Sequence, residues 1–236
     1  MKNKIFAISD IHGCYDELMA LYKKLPIDPK VDQMVFLGDY IDRGPDSSKV
    51  VQQLLNWSKQ YPHWVFLKGN HEDLLLDALN PEHPVYGDYY LWFRQGGTRT
   101  KSSYLPKGLG DYEQAIASMQ DFLPPEHKEF MEKLPLFYET EDYIFVHGGI
   151  KPGKTPQETT EFDLLWLRDE FIHSQYDWGK KVIYGHTVDD HTGRAEPNVM
   201  ENKIGIDTGA AYLPENRLTA IMLPEEEFYF QEAINL

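Results

Sequence analysis

The 236-residue sequence predicts an α/β fold, and three observations predict it. Short apolar runs of strand length alternate with segments whose apolar residues recur at helical spacing through the first third of the chain. Each of those runs ends in a polar loop rather than in a hairpin turn, as parallel strands joined by crossover helices do. The second half then carries further apolar runs bounded by glycine, asparagine and proline.

Residues 4–9 read as a buried strand, ending in Asp10-Ile11-His12-Gly13. Tyr15 to Leu25 places Leu18, Leu21, Tyr22 and Leu25 on one helical face, and Pro26 and Pro29 stop that helix. Residues 34–38 form the second strand, followed by Gly38-Asp39-Tyr40-Ile41-Asp42-Arg43-Gly44 and a helix from Ser47 to Gln60. Residues 63–68 form the third strand, ending in Gly69-Asn70-His71-Glu72 and a helix to Leu79. This β-α-β-α-β series implies a parallel sheet with right-handed crossovers. Residues 80–125 break the pattern with prolines, the Gly96-Gly97 pair and a crowd of aromatics (Tyr86, Tyr89, Tyr90, Trp92, Phe93). They read as an insertion of short helices covering one side of the site. Pro125 to Leu134 is a short helix with proline at its start. Tyr143–Val146 is a strand ending at His147, Glu161 to Phe171 a helix, and Lys181–Tyr184 a strand ending at Gly185-His186. Residues 204–207 and 218–222 read as a strand pair around a turn, with Phe228–Phe230 closing an edge. No repeat or linker divides the chain, so one domain over residues 1–236 is expected.

Composition narrows the function. The formal net charge of −15 opposes binding to nucleic-acid backbone or an anionic membrane. Cys14 is the only cysteine, which excludes an intrachain disulfide. No apolar run approaches the roughly 18 residues of a membrane span, and the first strand begins without a signal-peptide core. The expectation is a cytoplasmic protein.

The chemistry lies in the loops after the strands, where open α/β sheets place ligand sites. Asp10, His12, Asp39, Asn70, His147 and His186 form a donor set of oxygen and nitrogen without thiolate. That set suits two metals of the manganese, iron or zinc kind, with manganese first, better than a structural zinc. One metal leaves ligands over, whereas two metals sharing Asp39 use them all. Bound metals and a few arginines would supply the positive charge that an acidic protein needs to act on a phosphorylated substrate.

These motifs resemble the signature of the serine/threonine protein phosphatases of the PPP type, among the calcineurin-like metallophosphoesterases, over residues 4 to about 222. The length looks most like the bacterial and phage branch, which also holds diadenosine polyphosphate hydrolases. The resemblance implies two mixed β-sheets packed face to face with helices outside. It implies Asp10, His12 and Asp39 on a first metal, and Asp39, Asn70, His147 and His186 on a second. His71 would be the general acid, held protonated and aimed by Asp42. Arg43 would grip phosphate, with Arg168, in Leu164-Leu165-Trp166-Leu167-Arg168-Asp169, as a second phosphate-binding arginine. Gly149 stands where eukaryotic relatives usually have alanine. The implied reaction is phosphomonoester hydrolysis on phosphoserine or phosphothreonine, with phosphotyrosine also in view, through a hydroxide held between the metals. The alternative is a dinucleoside polyphosphate hydrolase on the same metal core. The expected partner is therefore a phosphorylated protein or a small phosphoester, and neither nucleic acid nor membrane.

Other patterns weigh less. Gly148 to Thr155 matches the phosphate-binding pattern G-x-x-x-x-G-K-[ST], but Pro152 removes a loop N–H and Pro156 interrupts the helix start. His63, His83, His127, His173 and His191 lack a motif; His191, in the loop after His186, is the reserve candidate for the acid. The aromatic cluster at 86–93 reads as packing rather than a base-stacking platform. Substrate specificity is expected in residues 80–125 and in the loops near His191 and Tyr212.

Overall fold

Strict alternation of side chains along six strands builds a three-layered core. The computed structural model describes residues 4–80, 85–86, 89–105, 112–188, 195–212 and 215–234. In order they form β1 (Ile5–Ile8), α1 (Tyr15–Lys24), β2 (Gln33–Phe36), α2 (Ser47–Gln60), β3 (Val65–Phe66) and α3 (Asn70–Ala78). A short α4 (Tyr90–Trp92), a wide turn over Phe93–Gly97, α5 (Thr98–Tyr104), α6 (Tyr112–Phe122) and α7 (Pro125–Glu132) follow. Next come β4 (Phe137–Glu139), β5 (Tyr143–Val146), α8 (Glu161–Trp166), α9 (Asp169–Ile172) and β6 (Lys181–Tyr184). β7 (Asn198–Val199), β8 (Lys203–Gly205), β9 (Arg217–Leu223) and β10 (Glu227–Glu232) complete the chain.

The strands make two five-stranded sheets, ordered β10-β9-β1-β2-β3 and β4-β5-β6-β8-β7. β1, β2 and β3 are parallel, as the crossover pattern predicts, and so are β5, β6 and β8. β9 runs antiparallel to both β1 and β10, and β4 and β7 at the edges of the second sheet run antiparallel to their neighbours. Ala7, Val35 and Ile221 of the first sheet meet Phe145, Ile183 and Ile204 of the second in one buried cluster. Their neighbours Phe6, Ile8, Met34 and Phe36 point the other way, onto α1, α2 and α3. Ile144, Val146, Val182 and Tyr184 likewise face α8 and α9. A strand buried on both faces reads as a continuous apolar run, which is why the period-2 signal is hidden in the sequence.

Two expectations are corrected. Residues 204–207 and 218–222 do not pair with each other: β8 lies beside β6 and β7, and β9 beside β1 and β10, in the other sheet. Local apolar patterning cannot tell which of two sheets a strand joins. The helix expected over Glu161 to Phe171 is broken. Leu167 is extended (φ −65°, ψ 133°) and Arg168 caps the next turn at φ −125°, ψ −104°. The phosphate-binding pattern at 148–155 holds no cradle, since the Gly148 and Gly149 N–H groups both donate to Leu164 O, at 2.8 and 3.4 Å.

Candidate metal centre

Parallel strands of both sheets end at the same edge of the sandwich, and six loops meet there. Gly38 has φ +99°, and a Cβ on it would strike the Gly69 backbone, so only glycine lets the second and third loops approach. Strain marks the site directly. Of the seven described non-glycine residues with positive φ, six are Asp10, His12, Asp39, Asp42, Arg43 and His186. Left-handed backbone at such residues costs about 1–3 kcal/mol each and persists only where the surroundings impose it. Here they do so by hydrogen bonds between loops: His12 N to Asp39 O at 2.8 Å, Gly44 N to His12 O at 2.9 Å and Gly185 N to His147 O at 2.9 Å.

The Asp39 carboxylate is the centre. Its Oδ2 lies 3.4 Å from His12 Nε2, and its Oδ1 lies 3.3 Å from His147 Nε2. His12, Asp39 and His71 bring donor atoms within 4.8 Å of one another, as do Asp39, His147 and His186. Asp39 belongs to both groups.

The tautomers fit metal binding. His12 Nδ1 donates to Ile41 O at 2.8 Å, and His147 Nδ1 donates to Leu37 O at 2.8 Å. Each Nε2 therefore presents a lone pair to the site. His147 Nε2 faces Asn70 Oδ1 at 2.9 Å, an arrangement of two acceptors that a cation between them would satisfy. His186 Nε2 is buried with no hydrogen-bond partner. Burial foremost pushes His12, His147 and His186 below the usual imidazole range, toward the neutral form that metals bind. Burial foremost also raises Asp39 well above the carboxylate range, with Glu72 adding to it, and raises Asp10 to about 6. The cluster is rich in acceptors and poor in charge to balance them, so these residues fit two divalent cations.

Asp10 sits differently from the other expected ligands. It belongs to neither group of three. Its carboxylate accepts the His186 N–H at 3.0 and 3.2 Å and contacts Ser9 Oγ, so it ties the second sheet to the first. His71 lies 3.8 Å from Asp39 Oδ2 through Nε2, while its Nδ1 meets Asp42 Oδ2 at 2.7 Å. Arg43 contacts His12 Nε2 and lies over the Tyr212 ring, 4.5 Å from its centroid. Arg168 Nη1 donates to Thr187 Oγ1 at 3.2 Å, beside His186, and its charge lowers His71, His147 and His186.

A model of the calcineurin-like phosphoesterases matches residues 3–222. The chain belongs to this family. Among its relatives, the bis(5'-nucleosyl)-tetraphosphatase PrpE [asymmetrical] of Oceanobacillus iheyensis is 30% identical, over 95% of this chain and 90% of that protein. Serine/threonine-protein phosphatase 2 of Escherichia coli is 29% identical over 87% of both. The crystal structure of a putative diadenosine tetraphosphatase superposes with a TM-score of 0.73 at 19% identity, covering 100% of this chain and 96% of that one. A Saccharomyces cerevisiae protein serine/threonine phosphatase superposes at 0.65 and 17%, covering 100% and 81%. These likenesses show the metallophosphoesterase fold with its two mixed sheets and flanking helices. No helix among the described residues is long and apolar enough to cross a membrane.

Sequence reasoning missed several residues of this metallophosphoesterase centre. Glu72 stood in a motif without a role, yet its carboxylate accepts the N–H groups of Asp39, Tyr40, Ile41 and Gly69 at 2.8–3.3 Å. Asp207, after β8, is buried, leaves Oδ2 without a partner and is pushed up to about 8 by burial and then by Asp10. The apolar run into Asp207 and Gly209 repeats the strand-then-acid pattern of the other loops and was its available signal. His63 and His127 are satisfied elsewhere, by Asp32 O and by Tyr104 with Gln52. His83 and His191 lie outside the described residues.

Proposed function

We propose that this chain hydrolyses phosphomonoesters, with phosphoserine and phosphothreonine as first substrates and phosphotyrosine as a further one. The observation that carries this reading is the buried His71–Asp42 pair beside a shared carboxylate. Asp39, Asn70, His147 and His186 would hold one divalent cation, and Asp39 and His12 would hold the other with Asp10 at its back. When bound, such a pair of cations lowers the pKa of water and neutralises phosphate charge, manganese suiting these donors best.

The chain's own residues supply the rest. Arg43 and Arg168 bind phosphate oxygens and meet the charge that develops on them during in-line displacement. The Tyr212 ring and the Arg43 N–H to Gly96 O bond at 3.3 Å hold Arg43 in place. Asp42 orients the imidazole through Nδ1, which leaves Nε2 as the atom that carries a proton to the leaving oxygen. Burial first, then the Arg43 charge, pushes His71 well below the usual imidazole range, while burial raises Asp42 to about 7. Bound phosphate brings the negative charge that reverses the arginine field and lets His71 take up its proton. An acid so built serves a leaving group that needs one, and a serine or threonine alkoxide is strongly basic.

A second reading has its own support. The 30%-identical relative is named as an asymmetrical bis(5'-nucleosyl)-tetraphosphatase, and the mutual coverage is nearly complete. Dinucleoside tetraphosphate cleavage would use the same centre with a less basic leaving phosphate. A side-by-side assay of a phosphoserine peptide and diadenosine tetraphosphate with added manganese separates the two. Peptide turnover supports the first reading. Turnover of the dinucleotide alone overturns it in favour of the second.

A further inference from the structure

The segment expected to govern specificity reaches into the acid pair. Asp42 is fully buried with φ +73°, a backbone that turns its N–H inward. Thr100, in the middle of α5, meets both ends of that residue. Its Oγ1 accepts the Asp42 N–H at 2.7 Å and donates to Asp42 Oδ1 at 2.6 Å. Ser47 Oγ joins at 2.9 Å from Thr100 Oγ1 and 3.1 Å from Asp42 N. Helical threonines ordinarily turn their hydroxyl back to a carbonyl of their own helix. Thr100 spends its hydroxyl on another loop. Trp92, at the end of α4, donates Nε1–H to both Asp42 oxygens, at 3.0 and 3.1 Å. The carboxylate is thereby locked with Oδ2 toward His71 Nδ1. Rotation about its last bond would break three hydrogen bonds at once, at a residue that burial shuts off from solvent.

We propose that Thr100 and Trp92 are positioning residues for the acid step: they hold the Asp42 carboxylate at the angle that aims His71 at the leaving oxygen. Both side chains hydrogen-bond Asp42 and act through it. The proposal rests on the reading of His71 as general acid. It makes the 92–100 segment part of the catalytic apparatus rather than a cover laid over it.

The consequence is a leaving-group signature. Thr100→Val keeps the shape of the side chain and removes the hydroxyl, Thr100→Ser restores the hydroxyl, and Trp92→Phe removes the indole donor while keeping a ring. Hydrolysis of a series of substituted phenyl phosphates by the manganese-loaded variants reads the effect. Thr100→Val and Trp92→Phe should lose about 10-fold in kcat on the most basic leaving group, a part of the roughly 10²–10⁴-fold that general acid catalysis supplies. They should lose little on p-nitrophenyl phosphate, with KM and metal content unchanged, and Thr100→Ser should recover. A second readout uses the metal-free protein. The His71 Nδ1–H proton, assigned by its loss in His71→Asn, should shift and exchange faster with water in Thr100→Val but not in Thr100→Ser. A uniform loss across leaving groups, or an unchanged proton resonance in Thr100→Val, overturns the proposal. If Thr100→Val fails to fold, Thr100→Ser and Trp92→Phe decide the same question. Wild-type protein that hydrolyses no phosphate ester would overturn the functional reading instead, while the proton resonance still decides the positioning role.

Discussion

Glu72 Oε2 accepts the Asp39 backbone N–H at 2.9 Å, so the residue common to both candidate metal groups rests on a second carboxylate beneath it. Glu72 is wholly buried and takes the N–H groups of Tyr40, Ile41 and Gly69 as well. Four donors converge on two oxygens, as they do at an anion-binding nest.

Replacing Glu72 by glutamine sets an amide N–H₂ against backbone donors. Leaving a buried donor unsatisfied costs about 1–3 kcal/mol. For a chain of this size that lowers Tm by roughly 2–4 °C per kcal/mol. The loss should show in a thermal melt of the metal-free protein, and metal affinity should fall with it because Asp39 loses its support. An unchanged melt and metal titration would remove Glu72 from this role.

Asp39→Asn tests the sharing. Asp39 faces His12 through one oxygen and His147 through the other. An amide offers only one good acceptor, so the variant should bind at most one equivalent of manganese and lose nearly all activity. Elemental analysis showing two bound ions at wild-type affinity would exclude a bridging role.

Arg43→Ala should raise KM and lower kcat/KM. A hydrogen bond to a charged group contributes about 1.5–3 kcal/mol, which is roughly a 10- to 100-fold loss in kcat/KM. Arg168→Ala should act in the same direction and less strongly, because Arg168 is partly committed to Thr187. Steady-state kinetics equal to wild type would take either residue out of the phosphate site.

His71→Asn should lower kcat by about 10²–10⁴-fold on a phosphoserine peptide and by much less on p-nitrophenyl phosphate, whose leaving group departs unaided. Metal content should hold, since His71 Nδ1 is committed to Asp42. His71 also stands in one of the two candidate metal groups, so equal losses on both substrates together with lost metal would make it a ligand.

Buried carboxyls give the metal-free protein a pH dependence of definite sign. Burial raises Asp42 to about 7, Glu72 to about 7 and Asp207 to about 8, well above the ordinary carboxylate range. Between the unfolded and folded values the native state binds more protons than the unfolded state, so stability falls as pH rises. The lowered histidines His12, His71, His147 and His186 act with the opposite sign up to about pH 6.5 and are neutral in both states above it, so the metal-free Tm should drop from about pH 6.5 to pH 8, and Asp207→Asn should flatten that drop. Metal binding releases those protons, so its affinity should rise over the same window. A metal-free Tm that rises between pH 6.5 and pH 8 would contradict the burial of these carboxyls.

The pairing of His71 with Asp42 came from the family resemblance, while the parallel β1-β2-β3 part of the first sheet and the strand ends that carry Asp10, His12, Asp39, Asn70, His147 and His186 were legible in the residues. Each depends on a local pattern: an apolar run, the loop that follows it, and a helix start at short range. The expectation of a shared Asp39 came from the arithmetic of donors, and Asp39 stands in both candidate metal groups. Assignment of β8 and β9 to different sheets was not, because two-sided burial gives both the same apolar pattern and pairing is decided by contacts far apart in the chain. The break at Arg168 was hidden in the same way, since Leu164, Leu165 and Phe171 keep a helical spacing across it. The support beneath the site, from Glu72 under Asp39 to Thr100 and Trp92 around Asp42, was decided by the tertiary structure alone. A hydrogen bond spanning 58 residues leaves no periodicity in sequence, and a threonine in a helix looks the same whether its hydroxyl serves its own turn or a buried carboxylate in another loop.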